Sequence, residues 1–257
     1  IHYPTSTTPL WEGATRIEGD TDQFLKTVAA RIGIAWGASR SYAWDRRLEA
    51  YCEATWPGRR DRLVLAAKVF QQTYRLDLAA HVARLLIREG HAGVGHNIIG
   101  NQAYFRGGYA GAGYHYVVSL SSLSTGAHDD VLRRENLRQL GMIQYYEDDL
   151  ETAEAFLKAS RPLKASSERE ERDLARSRWG LGMVQKKRRA FRKAAREYAA
   201  ALDAFRRTGD VASESGILVE LAILAREQTP PDLAGACDLL TESLRYKELI
   251  GEEFTRP

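Results

Sequence analysis

An all-helical chain built as a stack of helix-turn-helix hairpins is the fold class that two observations predict. Apolar residues recur at intervals of three and four through most of the 257 residues, and no stretch alternates convincingly with period two. One frame of small and large residues also returns five times, with its three clearest copies 41 residues apart.

Residues 1–20, IHYPTSTTPLWEGATRIEGD, hold two prolines and four threonines without periodicity and predict an extended arm. Residues 21–60 predict a divergent helix pair, which Pro57 and Gly58 separate from the rest of the chain. Residues 61–257 predict a solenoid of about five repeats, broken once near its end by TPPD at 229–232.

The frame is specific. Ile99-Gly100, Leu140-Gly141 and Leu181-Gly182 open the three clear copies. Nine residues after each glycine stands Tyr109, Leu150 or Phe191, and twelve after it Ala112, Ala153 or Ala194. A bulky residue follows four later (Tyr116, Leu157, Tyr198), and a small one three beyond that (Ser119, Ser160, Ala201). A weaker copy has Leu221-Ala222, then Ala236, Leu240 and Ser243 after a two-residue insertion. Another precedes the clear copies, with Ala66-Ala67, Leu76, Ala79 and Ala83. Gly or Ala on a first helix and Ala on a second mark the closest approach within a hairpin, and the bulky residue fills the groove beside them. Each hairpin leaves an apolar face for the next, so the stack buries one core. Gly111 and Gly113 fall outside this logic, since helical glycine costs up to ~1 kcal/mol against alanine; close approach of a neighbour or a locally soft hairpin would account for them.

Composition narrows the function classes. A formal net charge of +3 with 28% charged residues is ordinary for a globular chain and demands no polyanion. Cys52 and Cys237 stand far apart and read as reduced core thiols. The apolar run SGILVELAILA is short and interrupted by Glu220, so no membrane span is expected. Without a secretory signal the expected location is cytoplasmic. The first residue is Ile rather than Met, which leaves room for a preceding segment.

Recognised catalytic patterns fail on context. The glycine-dense IIGNQAYFRGGYAGAGYHY lacks the preceding strand and the Lys-Ser/Thr of a phosphate loop, and it lacks the strand of a dinucleotide fold. His91 and His96 are five apart, the wrong interval for two ligands on one helical face, so neither metal nor cofactor is expected. In YYEDDLETAE, Asp149 is expected to start a helix, with Glu151 and Glu154 near its positive end. Residues 186–207 hold nine basic and two acidic residues, a local net of +7 that suits phosphates or an acidic partner unless it coats a solvated hairpin or is neutralised by the acidic residues of 147–171.

The leucine-glycine, tyrosine, turn, alanine, aromatic, alanine order resembles the tetratricopeptide repeat from residue 61 to about 247. It departs in its period near 41 and in lacking the proline that usually closes a repeat. The resemblance implies a right-handed superhelix whose concave face is lined by first helices, as in peptide-sensing domains of bacterial regulators. Carried over position by position, it implies a ligand face of Asn97, Asn101, Tyr104 and Phe105, then Arg138, Gln139, Met142, Tyr145 and Tyr146. Trp179, Met183, Lys186 and Lys187 follow, and then Glu220, Ile223, Arg226 and Glu227. Asn101 would grip a ligand's backbone amide, and Arg138, Lys186 and Lys187 would clamp a carboxylate. Packing of the tyrosines on the next helix and plain solvation of the charges are the alternatives. The expected function is non-catalytic binding of a peptide or protein segment, with a homo-oligomer open. The alternative is a regulator that binds nucleic acid through its basic face or through a preceding domain.

Overall fold

A computed structural model describes residues 76–124 and 126–250, with a few isolated positions between 60 and 71. The expected arm at 1–20 and nearly all of the helix pair at 21–60 lie outside the described residues, as does Cys52. Every element among the described residues is a helix, in agreement with the all-α hairpin stack. The chain divides into two compact units, residues 1–125 and 126–257.

In the first unit, α1 (Leu76–Arg88), α2 (Ala92–Phe105) and α3 (Tyr109–Ser121) follow one another, and α2 packs against both neighbours. The second unit holds three hairpins. They are α4 (Ala127–Tyr146) with α5 (Leu150–Ala159), α6 (Glu168–Lys187) with α7 (Phe191–Thr208), and α8 (Val211–Glu227) with α9 (Leu233–Ile250). Helix α6 also packs on α4 and α5, and α7 on α8, so the hairpins stack.

The repeat frame is the packing frame. Ala112, Ala153 and Ala194 are fully buried, and so are Tyr116, Leu157 and Tyr198. A Cβ on Gly100 would lie 2.8 Å from the Tyr116 ring, and one on Gly141 would lie 2.8 Å from Leu157. Gly182 meets the Tyr198 ring in the same way. Residues nine after each opening position begin the second helices: Leu76, Tyr109, Leu150, Phe191 and, after the insertion, Leu233. In the three clear hairpins one turn position, 41 residues apart, is left-handed: Gly107 at φ 75°, Asp148 at 69° and Arg189 at 60°. The next residue then donates its N–H back to the first helix, as Gly108 to Ala103, Asp149 to Gln144 and Ala190 to Gln185.

Three expectations are corrected. Cys237, expected in the core, is a free thiol on the exposed side of α9. Leu240 is not the groove-filling residue of the last hairpin, being 42% exposed. Leu239 packs into the core instead, while Ala236 and Ser243 keep their frame positions on the inner face. Gly111 does not admit a close neighbour, since a Cβ there meets nothing within 4 Å.

Helix starts follow their local chemistry. Asp149 Oδ1 accepts from the Thr152 N–H at 3.0 Å, which holds its carboxyl below the usual range. Asp210 caps α8 through Ser213 at 3.1 Å. Ser167 caps α6, its Oγ accepting from the Glu170 N–H, while the Glu170 carboxylate accepts from the N–H and hydroxyl of Ser166.

Candidate functional site

In the second unit the first helices α4, α6 and α8 lie in sequence-register, and a row of side chains crosses them. Lys187 of α6 donates to the Tyr145 carbonyl of α4 at 3.1 Å and sits 4.8 Å over the Tyr145 ring. It also pairs with Asp148 at 2.7 Å, at the exposed edge of the row. Tyr146 meets the Tyr145 ring edge-on at 5.4 Å and is 47% exposed. On the other side of α6, Lys186 lies 2.5 Å from Glu220 of α8, with only 16% and 17% of the two side chains exposed. The Tyr198 hydroxyl donates to the same Glu220 oxygen at 3.2 Å. Burial, and then the Glu220 charge, raise the Tyr198 phenol far above its ordinary value. Burial raises Tyr145 as well, opposed by the two lysines.

A second row runs nearer the helix starts. Arg138 and Arg134 of α4 flank Asp173 of α6 at 3.8 and 4.0 Å, with Arg134 also 3.7 Å from Glu170. Arg176 stands 3.9 Å from Asp173 and 3.2 Å from Asp210, the cap of α8. Asp173 is almost fully buried, and burial raises its pKa against the pull of Arg138 and Arg176. The sequence reading missed Arg134, Asp173, Arg176 and Asp210. Their separations of 39, 35 and 34 residues fall short of the 41-residue period, so the repeat frame did not mark them.

The sequence-derived set therefore separates. Tyr145, Tyr146, Lys186 and Lys187 come together, with Glu220 and Asp148 as partners. Arg138 belongs to the second row, and Gln139 lies partly buried beside it. Met142 packs against the Ala153, Leu157, Leu181 and Val184 cluster. Trp179 is turned into the core, edge-on to Phe205 at 6.3 Å and pressed against Gly216, because the missing Cβ there leaves room for the indole. Lys186 is neutralised by Glu220 rather than presented as a clamp.

In the first unit Asn97 is buried and accepts from the Asn101 carboxamide at 3.2 Å, while Tyr116 donates to Asn101 Oδ1 at 2.7 Å. Asn101 thus ties α2 to α3. Tyr104 leans on Tyr109 and on Phe105, which is 71% exposed. His96 and His115 face each other across the same hairpin with their Nδ1 atoms 3.0 Å apart, a contact that the His91–His96 spacing did not reveal. Burial lowers the pKa of both, and the neighbouring His96 lowers that of His115 further.

Five of the nine basic residues at 186–207 pair with carboxylates of their own unit, while Arg189, Arg192, Lys193 and Arg196 are exposed on the hairpin's turn and second helix. Lys186 pairs with Glu220, Lys187 with Asp148, Arg188 with Glu154, Arg206 with Glu214 and Glu242, and Arg207 with Glu171. Among the described residues no three His, Cys, Asp or Glu side chains gather as a metal site, and no helix is long and apolar enough to cross a membrane.

A scan against protein-family models matches none, and a search of curated proteins finds no match. Among solved structures, BtubC (BKLC) from P. vanneervenii is similar, with a TM-score of 0.55 at 14% identity over 92% of this chain and 94% of that one. At that identity the likeness concerns the fold.

Proposed function

We propose that this chain is a non-catalytic scaffold of tetratricopeptide type that binds a peptide or protein segment along α4, α6 and α8, as the sensing or assembly part of a regulatory protein. The observation that carries the reading is the row Tyr146, Tyr145, Lys187, Lys186 and Glu220, in which residues 34 to 42 apart in sequence are in contact. Rigid aromatic bodies beside ordered charges favour recognition of an extended chain.

The roles divide by burial. Glu220 orients Lys186 and neutralises it, whereas Lys187 is held by Asp148, a carboxylate 74% exposed. A surface pair of that kind is worth roughly 0–1 kcal/mol, so a ligand carboxylate exchanges for Asp148 at little cost. Tyr146 is the aromatic anchor. Binding of nucleic acid is the second reading, and its candidates are the exposed Arg189, Arg192, Lys193 and Arg196 rather than the five basic residues of the run that pair with carboxylates.

The test is a random-peptide display screen with the full chain, followed by titration of the selected peptides against Tyr146→Ala and Lys187→Glu. Each substitution is expected to weaken binding about tenfold or more. Peptides that bind both variants as well as the parent would remove the row from the function.

A further inference from the structure

The last described helix, α9, carries an outer face that its own unit does not use. Its inner face is settled by contacts: Ala236 and Ser243 are buried, Ser243 Oγ lies 2.9 Å from Ser215 Oγ of α8, and Leu239 and Tyr246 pack into the core. On the opposite side Leu233 is 63%, Leu240 42% and Leu244 60% exposed. Solenoid helices at a solvent boundary are ordinarily polar, and an exposed leucine stripe marks a contact surface.

Charge sits in a definite place beside that stripe. At about 100° per residue, Leu240 and Leu244 lie on one border of the exposed arc, Thr241 near its middle, and Asp238 and Arg245 on the other border. Asp238 and Arg245 are both exposed and two turns apart, so they share a flank of α9 without reaching each other.

A two-fold axis passing beside α9, perpendicular to it and level with the Thr241–Glu242 peptide, makes this face complementary to itself. In an antiparallel pair, like borders meet. Leu240 then faces Leu244 of the second copy, and Asp238 faces Arg245 of the second copy, each contact occurring twice. One axis position satisfies both the apolar and the ionic pairing. A parallel pair has no such solution, because it sets the leucine border against the charged one.

We propose that α9 is a homodimer interface, formed antiparallel with a second copy of this chain about an axis level with Thr241 and Glu242. A helix of this length spans about 27 Å, so one helix pair gives an interface near the lower size limit of specific complexes and a dimer in the micromolar range.

Sedimentation equilibrium of the full chain across 1–100 µM (roughly the span such an interface implies) tests it. The expected result is a concentration-dependent dimer, lost in Leu240→Glu and weakened about tenfold or more by Asp238→Arg or Arg245→Asp alone. The double reversal Asp238→Arg with Arg245→Asp restores it, and oxidised Thr241→Cys forms an interchain disulfide in a Cys237→Ser background, which removes the exposed thiol one turn away. Far-UV circular dichroism identifies any variant that fails to fold. A parent that stays monomeric overturns the proposal and leaves the stripe to a different partner protein. A dimer indifferent to Leu240→Glu, or single reversals that the double reversal does not rescue, overturns it equally.

Discussion

Gly100 of α2 faces the buried ring of Tyr116 on α3 so closely that a Cβ on the glycine would lie 2.8 Å from the ring. The same relation holds between Gly182 and Tyr198, so two hairpins depend on a missing methyl group. Gly100→Ala and Gly182→Ala are expected to lower stability. Overpacking against a fixed ring costs about 1–3 kcal/mol and outweighs the gain of up to about 1 kcal/mol in helix propensity. Gly111→Ala, with nothing within 4 Å of the new Cβ, is expected to gain that propensity term alone. Urea midpoints of the three variants check the contrast, and equal signs at all three would refute it.

Arg189 occupies a left-handed turn position at φ 60°. That conformation costs an L-residue about 1–2 kcal/mol, of which glycine's extra unfolded freedom returns roughly half. Arg189→Gly is therefore expected to stabilise by roughly 0.5–1 kcal/mol. Asp148→Gly should gain less, because it also loses the Lys187 pair. A lower urea midpoint for Arg189→Gly contradicts the account.

Glu220 answers two groups at once, the Lys186 ammonium and the Tyr198 hydroxyl. Glu220→Gln keeps the shape but removes the charge, and is expected to cost about 1–3 kcal/mol by leaving a largely buried ammonium without its counter-charge. Glu220→Gln combined with Lys186→Met should recover most of that loss, as a thermal-denaturation double-mutant cycle would show.

The His96–His115 contact predicts an acid response. Both imidazoles titrate below their ordinary value of 6.5 when folded. The unfolded chain therefore binds more protons between the folded and unfolded values, and stability is present above pH 6.5 and falls as the pH drops through that window. Comparing the parent with His115→Gln by urea midpoints from about pH 7.5 to about pH 5 isolates the effect from carboxylate titration. Parallel pH profiles would show that the pair contributes nothing.

How far the sequence reached differs between backbone and site. Gly100, Gly141 and Gly182 with Tyr116, Leu157 and Tyr198 were legible because one hairpin's contact recurs at a fixed interval, and chance does not repeat a steric requirement. Asp149 was legible as a cap because its partner, Thr152, is three residues away. Leu240 was misread because Leu239 and Leu240 stand side by side, and the repeat spacing does not say which of two adjacent leucines turns inward. The carryover of first-helix positions found Tyr145, Tyr146, Lys186 and Lys187, but it counted Trp179 and Arg138 as equals of these.

By itself the sequence determined the helices, their pairing into hairpins and the small-to-large contacts that close each one, since all of these rest on neighbours within one repeat. Tertiary structure alone decided which charges are paired within the fold. Glu220 against Lys186, Asp173 between Arg138 and Arg176, and Trp179 beneath Gly216 are contacts between successive hairpins. Whether a lysine is a ligand clamp or a neutralised strut depends on a carboxylate one repeat away, and Coulomb's law acts over ångströms in space rather than over positions in the chain.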